Sequence, residues 1–123
     1  MIISARGIAS KNWPKLLERL VQASVRERRA GIPPLASTTV VYQREPARRE
    51  HWQSAETTFE LGHGDCEDLA IWLCADARLA GMNARVVVKR VRPGLSHALV
   101  LAENGRLSGL FDPSLARGMK GAG

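Results

Sequence analysis

No apolar run in these 123 residues is longer than the seven from Leu69 to Ala75, against the ~20 that a bilayer-spanning helix needs. A membrane span is therefore excluded. The opening Met1-Ile2-Ile3-Ser4-Ala5-Arg6-Gly7 lacks the long apolar stretch of a secretory signal. Aromatics are also scarce: three Trp, two Phe and one Tyr, without the stacking pattern of single-strand nucleic-acid binders. There are only two cysteines, Cys66 and Cys74. On one helix their backbones stand roughly 12 Å apart, too far for a disulfide, which needs Cα atoms under about 7 Å apart, and too far to share a zinc ion. Free thiols suit a reducing compartment, so the expected location is the cytoplasm. GxGxxG, P-loop, CxxC and HExxH patterns are missing as well, and no cofactor is expected.

What remains is an ordinary globular composition, 45% hydrophobic and 24% charged, sufficient for one core in a single domain over 1–123. The net charge of +6 is unevenly placed. Residues 1–53 hold 10 Lys/Arg against 4 Asp/Glu, and residues 54–123 hold 8 against 8. The surplus lies in Arg26, Arg28 and Arg29 and in Arg44, Arg48 and Arg49. Such a group serves either as a solvated face or as a docking surface for acidic protein, nucleic acid or anionic lipid.

Residues 11–30 read as an amphipathic helix. Ser10 or Asn12 is its cap, Pro14 lies in its first turn, and Leu16, Leu17, Leu20, Val21, Ser24 and Val25 form its stripe. Gly31 and Pro33-Pro34 stop it. Thr38 to Tyr42 has strand composition, Arg44 to Arg49 reads as a polar loop, and Ala55 to Leu61 as a short helix capped by Ser54. After a turn at Gly62-His63-Gly64-Asp65, residues Cys66, Leu69, Ala70, Leu73, Cys74, Ala77 and Ala80 recur at helical spacing until Gly81. Strands are expected over Ala84 to Val91, His97 to Ala102 and Leu107 to Phe111, with turns at Pro93-Gly94 and Asn104-Gly105. A Gly-rich tail follows over about 115–123. Helices first and a β-meander last predict an α+β fold, with a central Cys66 helix packed on an antiparallel sheet.

Cys66 falls in the first turn of its helix, where backbone N–H groups and the macrodipole favour a thiolate and can receive an oxyanion. Asp65, Glu67 and Asp68 oppose this with negative charge. Cys74 faces the core. Asn104-Gly105 as a two-residue turn makes each cross-strand pair sum to 209, so His97 meets Asp112 on one face. A carboxylate there holds one ring nitrogen and leaves the other free to act on a thiol. That face also carries Leu99, Leu101 and Leu110, which marks it as core-facing and as the side the Cys66 helix covers. Cys66, His97 and Asp112 then form nucleophile, base and orienter. His51 and His63 are rivals for the base, and Trp52 and Gln53 are the candidate oxyanion donors.

Several blocks resemble the transglutaminase-like superfamily of papain-type folds: Ser54-Ala-Glu-Thr-Thr, Gly62-His-Gly-Asp-Cys-Glu-Asp-Leu-Ala70, Gly81-Met-Asn-Ala-Arg85, Ser96-His97-Ala-Leu-Val and Phe111-Asp-Pro-Ser114. The chain is similar to bacterial transglutaminase-like cysteine proteinases, and more so to small stand-alone members encoded among the structural genes of tailed phages and prophages. The resemblance implies the same roles for Cys66, His97 and Asp112. In periplasmic relatives the acids flanking the cysteine help bind calcium, which carries over onto Asp65 and Glu67; capping and solvation account for them otherwise. Two main readings follow. One is a thiol acyl-transfer enzyme acting on a protein or peptide in the host cytoplasm. The other is a phage assembly module, virion-associated, whose basic N-terminal half docks on other structural proteins. A nucleic-acid accessory role ranks third, and its binding would weaken steeply with salt.

Overall fold

A computed structural model describes residues 1–5, 8–44, 51–92 and 95–118. Its elements are β1 (Ile2–Ser4), α1 (Trp13–Arg29), β2 (Val41–Tyr42), β3 (His51–Gln53), α2 (Ala55–Leu61), β4 (His63–Gly64), α3 (Cys66–Leu79), β5 (Asn83–Arg92), β6 (Leu95–Glu103), β7 (Ser108–Phe111) and α4 (Pro113–Ala116). The architecture is α+β. An antiparallel sheet in the order β5-β6-β7 carries α3, and two small ladders, β1 with β3 and β2 parallel to β4, flank it. Arg48, Arg49, the Pro93-Gly94 turn and the tail from Met119 lie outside the described residues. Among the described residues no helix is long and apolar enough to cross a membrane.

α1 buries Leu17, Leu20, Val21 and Ser24 along the expected stripe. Its N-terminus differs: Ser10–Asn12 form a 3-10 turn, and neither Ser10 nor Asn12 makes a capping hydrogen bond. α2 starts after Ser54, whose hydroxyl donates to Glu27 instead of capping (2.8 Å). The helix's first amides are taken by α1: Ala55 N–H by Ser24 Oγ (2.9 Å) and Glu56 N–H by Glu27 Oε1 (3.0 Å). Of the expected strand over Thr38 to Tyr42, only Val41–Tyr42 pairs. The glycine turn before Cys66 is itself partly strand, with His63 opposite Val41 and Gly64 opposite Tyr42.

The hairpin register also differs from expectation. β6 and β7 pair as Val100 with Phe111, Leu101 with Leu110 and Ala102 with Gly109, each sum being two higher than predicted. Asn104 and Leu107 close the loop (N···O 3.0 Å), so Gly105-Arg106 is the turn. Gly105, at φ +88°, takes the first central position, as a II′-type turn requires, and Asn104 Oδ1 accepts the Leu107 N–H (3.1 Å). Asparagine thus braces the turn from its edge. The buried face is the opposite one from that expected. Ala98, Val100 and Ala102 lie under α3 with Cys66, Ala70, Ile71 and Cys74, whereas Leu110 is 51% exposed. Small side chains let the helix approach the sheet closely; the larger leucines face outward.

Candidate active site

Cys66 opens α3. Asp65 Oδ1 accepts the Asp68 N–H and Asp68 Oδ2 accepts the Asp65 N–H, both at 3.0 Å, a reciprocal cap that fixes the chain on either side of the cysteine. The remaining Asp68 oxygen accepts the Gln53 N–H (2.8 Å), tying β3 to the same point. Gly64 is obligatory here, because a Cβ on it would lie 2.8 Å from Asp68 Cβ and 3.0 Å from Thr58 Cγ2.

The Cys66 thiol is 7% exposed and donates to Glu67 Oε2 at 3.1 Å. Burial pushes its pKa well up, and the adjacent Glu67 carboxylate pushes it further; a hydrogen bond from the Ala98 backbone works the other way. The thiolate expected from the helix terminus is therefore not the resting form, since burial and two flanking acids outweigh the N-terminal amides. Cys74, fully buried, is pushed up to about 11 by burial. Both thiols are free.

His97, 9% exposed, bonds through Nε2 to Asp112 Oδ2 at 2.6 Å. With the Asp112 oxygen as acceptor Nε2 is the donor, and in that tautomer of the imidazole Nδ1 is the acceptor. The pair meets in spite of the altered register. Asp112 lies one step beyond the Val100–Phe111 pair, opposite Leu99, and a shift of two keeps every residue on its own face. The contact is thus diagonal, and diagonal neighbours remain within reach of longer side chains. By strand alternation both residues belong to the Leu99 face rather than to the Ala98, Val100 and Ala102 face that packs with Cys66. Among the described residues no hydrogen bond joins His97 to Cys66, so the expected covering of the His97 face by the Cys66 helix is not what the sheet shows. Asp112 Oδ1 meanwhile caps α4 by accepting the Ser114 N–H (3.0 Å).

Of the oxyanion candidates, Trp52 is a core residue, 2% exposed and edge-on to Trp13 at 5.4 Å. Gln53 accepts the Thr58 hydroxyl on Oε1 (3.1 Å), which turns its NH2 group outward from that contact. His51 sits in β3 opposite Ser4, and His63 pairs in β4 with Val41. Calcium at Asp65 and Glu67 is a poor fit: Asp65 is used as a cap and Glu67 accepts from the thiol. The described residues hold no group of three His, Cys, Asp or Glu able to bind a metal. Tyr42 went unnoticed in the sequence. Burial, and then the negative charges of Asp65 and Glu67, raise its pKa.

The Transglutaminase-like superfamily matches residues 26–106. The chain belongs to this superfamily. Neither the curated proteins nor the solved structures contain a match to it. Transglutaminase-like domains are typically enzymes of cysteine-based acyl transfer or proteolysis, and the matched span includes Cys66 and His97 while Asp112 lies past its end. The α+β layout, with a cysteine at the start of a central helix against an antiparallel sheet, is the fold of that superfamily.

Proposed function

We propose that this transglutaminase-like chain is an acyl-transfer enzyme, a peptide or amide hydrolase or a transamidase, with Cys66 as nucleophile, His97 as base and Asp112 as orienter. The observation that carries the reading is the 2.6 Å His97–Asp112 bond, on the strand whose next residue, Ala98, packs in the same buried cluster as Cys66. The resting nucleophile is a thiol. As Sγ attacks the substrate carbonyl, its proton passes to His97 Nδ1, and Asp112 stabilises the imidazolium that forms. The oxyanion is received by the Gln53 NH2 group and the Cys66 amide at the start of α3. Collapse of the intermediate expels the amine, which takes the imidazolium proton and leaves a thioester on Cys66. Water or a second amine then attacks the thioester, with His97 again as base. The substrate is a protein or peptide, and the site of action is the host cytoplasm of a phage- or prophage-bearing cell.

The test is peptide-library cleavage and hydroxylamine incorporation, both read by mass spectrometry. Cys66→Ala should abolish both while leaving the thermal midpoint nearly unchanged. Full activity in Cys66→Ala ends the enzyme reading. A second reading draws on the burial of the thiol beside two acids: the fold serves as a docking module in phage assembly. In that case Cys66→Ala leaves assembly intact, whereas replacing Arg44, Arg48 and Arg49 by Ser weakens partner binding.

A further inference from the structure

We propose that Arg117 is a positioning residue that fixes Asp112 relative to the segment leading into Cys66; this rests on the reading of His97 and Asp112 given above. The Arg117 guanidinium spans three carbonyls of one loop: Nη1 donates to Thr38 O (2.6 Å) and Val40 O (3.2 Å), and Nη2 to Leu35 O (2.6 Å). Its own carbonyl accepts the Tyr42 N–H at 2.9 Å. The loop it clamps continues into β2, which pairs with β4 immediately before Cys66: Val41 N–H bonds Gly62 O (3.2 Å) and Gln43 N–H bonds Gly64 O (2.8 Å).

On its other side Arg117 ends α4, the four-residue helix that Asp112 begins. A single turn of helix is not stable alone, so the direction of α4, and with it the Asp112 carboxylate, depends on what holds the far end. Arg117 supplies that hold through its side chain, its carbonyl and its N–H to Ser114 O (3.0 Å). One residue thus joins the strand that enters the nucleophile to the helix that leaves the orienter. A rigid fork of donors can span several carbonyls at once, which the single ammonium of lysine cannot. Arg117 also lies beyond the matched residues 26–106.

The experiment compares Cys66 alkylation by iodoacetamide at pH 7.5, resolved from Cys74 by peptide mass spectrometry, in wild type, Asp112→Asn, Arg117→Ala and the double variant, well below each thermal midpoint. Arg117→Ala should slow Cys66 about as much as Asp112→Asn, roughly tenfold, and the double variant should be no slower than Asp112→Asn alone. Arg117→Lys should recover part of the rate. A wild-type rate in Arg117→Ala beside a slow Asp112→Asn overturns the positioning role alone, as do losses that multiply in the double variant. A wild-type rate in Asp112→Asn overturns the orienter and the positioning role together. Should Arg117→Ala not fold, Arg117→Gln takes its place with the same expectations.

Discussion

The contact that most defines the chemistry of Cys66 is its 3.1 Å hydrogen bond to the neighbouring Glu67 carboxylate. A carboxylate that accepts an S–H stabilises the thiol and repels the thiolate, so Glu67 holds Cys66 in its protonated form at rest. Glu67→Gln should therefore raise Cys66 alkylation severalfold at neutral pH; a slower rate would mean that Glu67 takes up the thiol proton and is itself the base. The same contact explains a failure of sequence reasoning. A cysteine at a helix start reads as an activated thiol, yet its burial and the direction of the Glu67 side chain are products of packing. Asp76, with no evident role in the sequence, is likewise engaged: it pairs with Arg28 and accepts the Leu35 N–H (2.9 Å). Asp76→Asn should cost about 2 kcal/mol in denaturant unfolding, so it would make a poor neutral control for Asp112, and the exposed Glu103 is the better choice.

Among the elements, the capped start of α3 depends on the absence of a side chain at Gly64. Gly64→Ala forces a Cβ against Asp68 and Thr58 and should cost about 1–3 kcal/mol, with a lower chemical-denaturation midpoint and slower Cys66 alkylation. A variant as stable as wild type would show that the cap relaxes freely. α3 and the stripe of α1 were legible because a 3.6-residue period survives whatever packs around it. The hairpin was legible in kind and wrong in register. Asn104-Gly105 and Gly105-Arg106 are both acceptable turns, and the choice between them rests on the Asn104 side-chain bond to Leu107. The buried face was misjudged because leucine outranks alanine as a core residue in sequence, whereas the close approach of α3 selects Ala98 and Ala102. His97 and Asp112 meet all the same, since a shift of two preserves the face. α4 and the Arg117 clamp had no signal, being four residues long and held by backbone carbonyls that any sequence supplies.

Across the whole molecule, both thiols have folded pKa values above their unfolded value, and burial is the main cause for each. The sign is that of a raised group: the stability it contributes is complete below the unfolded thiol pKa of about 8.5 and is lost as pH rises toward the folded values. Unfolding free energy should therefore fall above about pH 8.5 by up to about 1.4 kcal/mol per pH unit for each thiol, and Cys66→Ala should roughly halve that slope. A flat profile to pH 10 would mean that the thiols ionise without unfolding. The account's central claim, that His97 serves Cys66 as its base, is tested most directly by the ratio of Cys66 to Cys74 alkylation at pH 7.5 in wild type and in His97→Ala. Static ionisation gives Cys66 no advantage, because burial and Glu67 raise its pKa as burial raises that of Cys74. The account predicts that Cys66 reacts at least tenfold faster and that His97→Ala removes the difference; equal slow rates in wild type, or a ratio unchanged by His97→Ala, would contradict it.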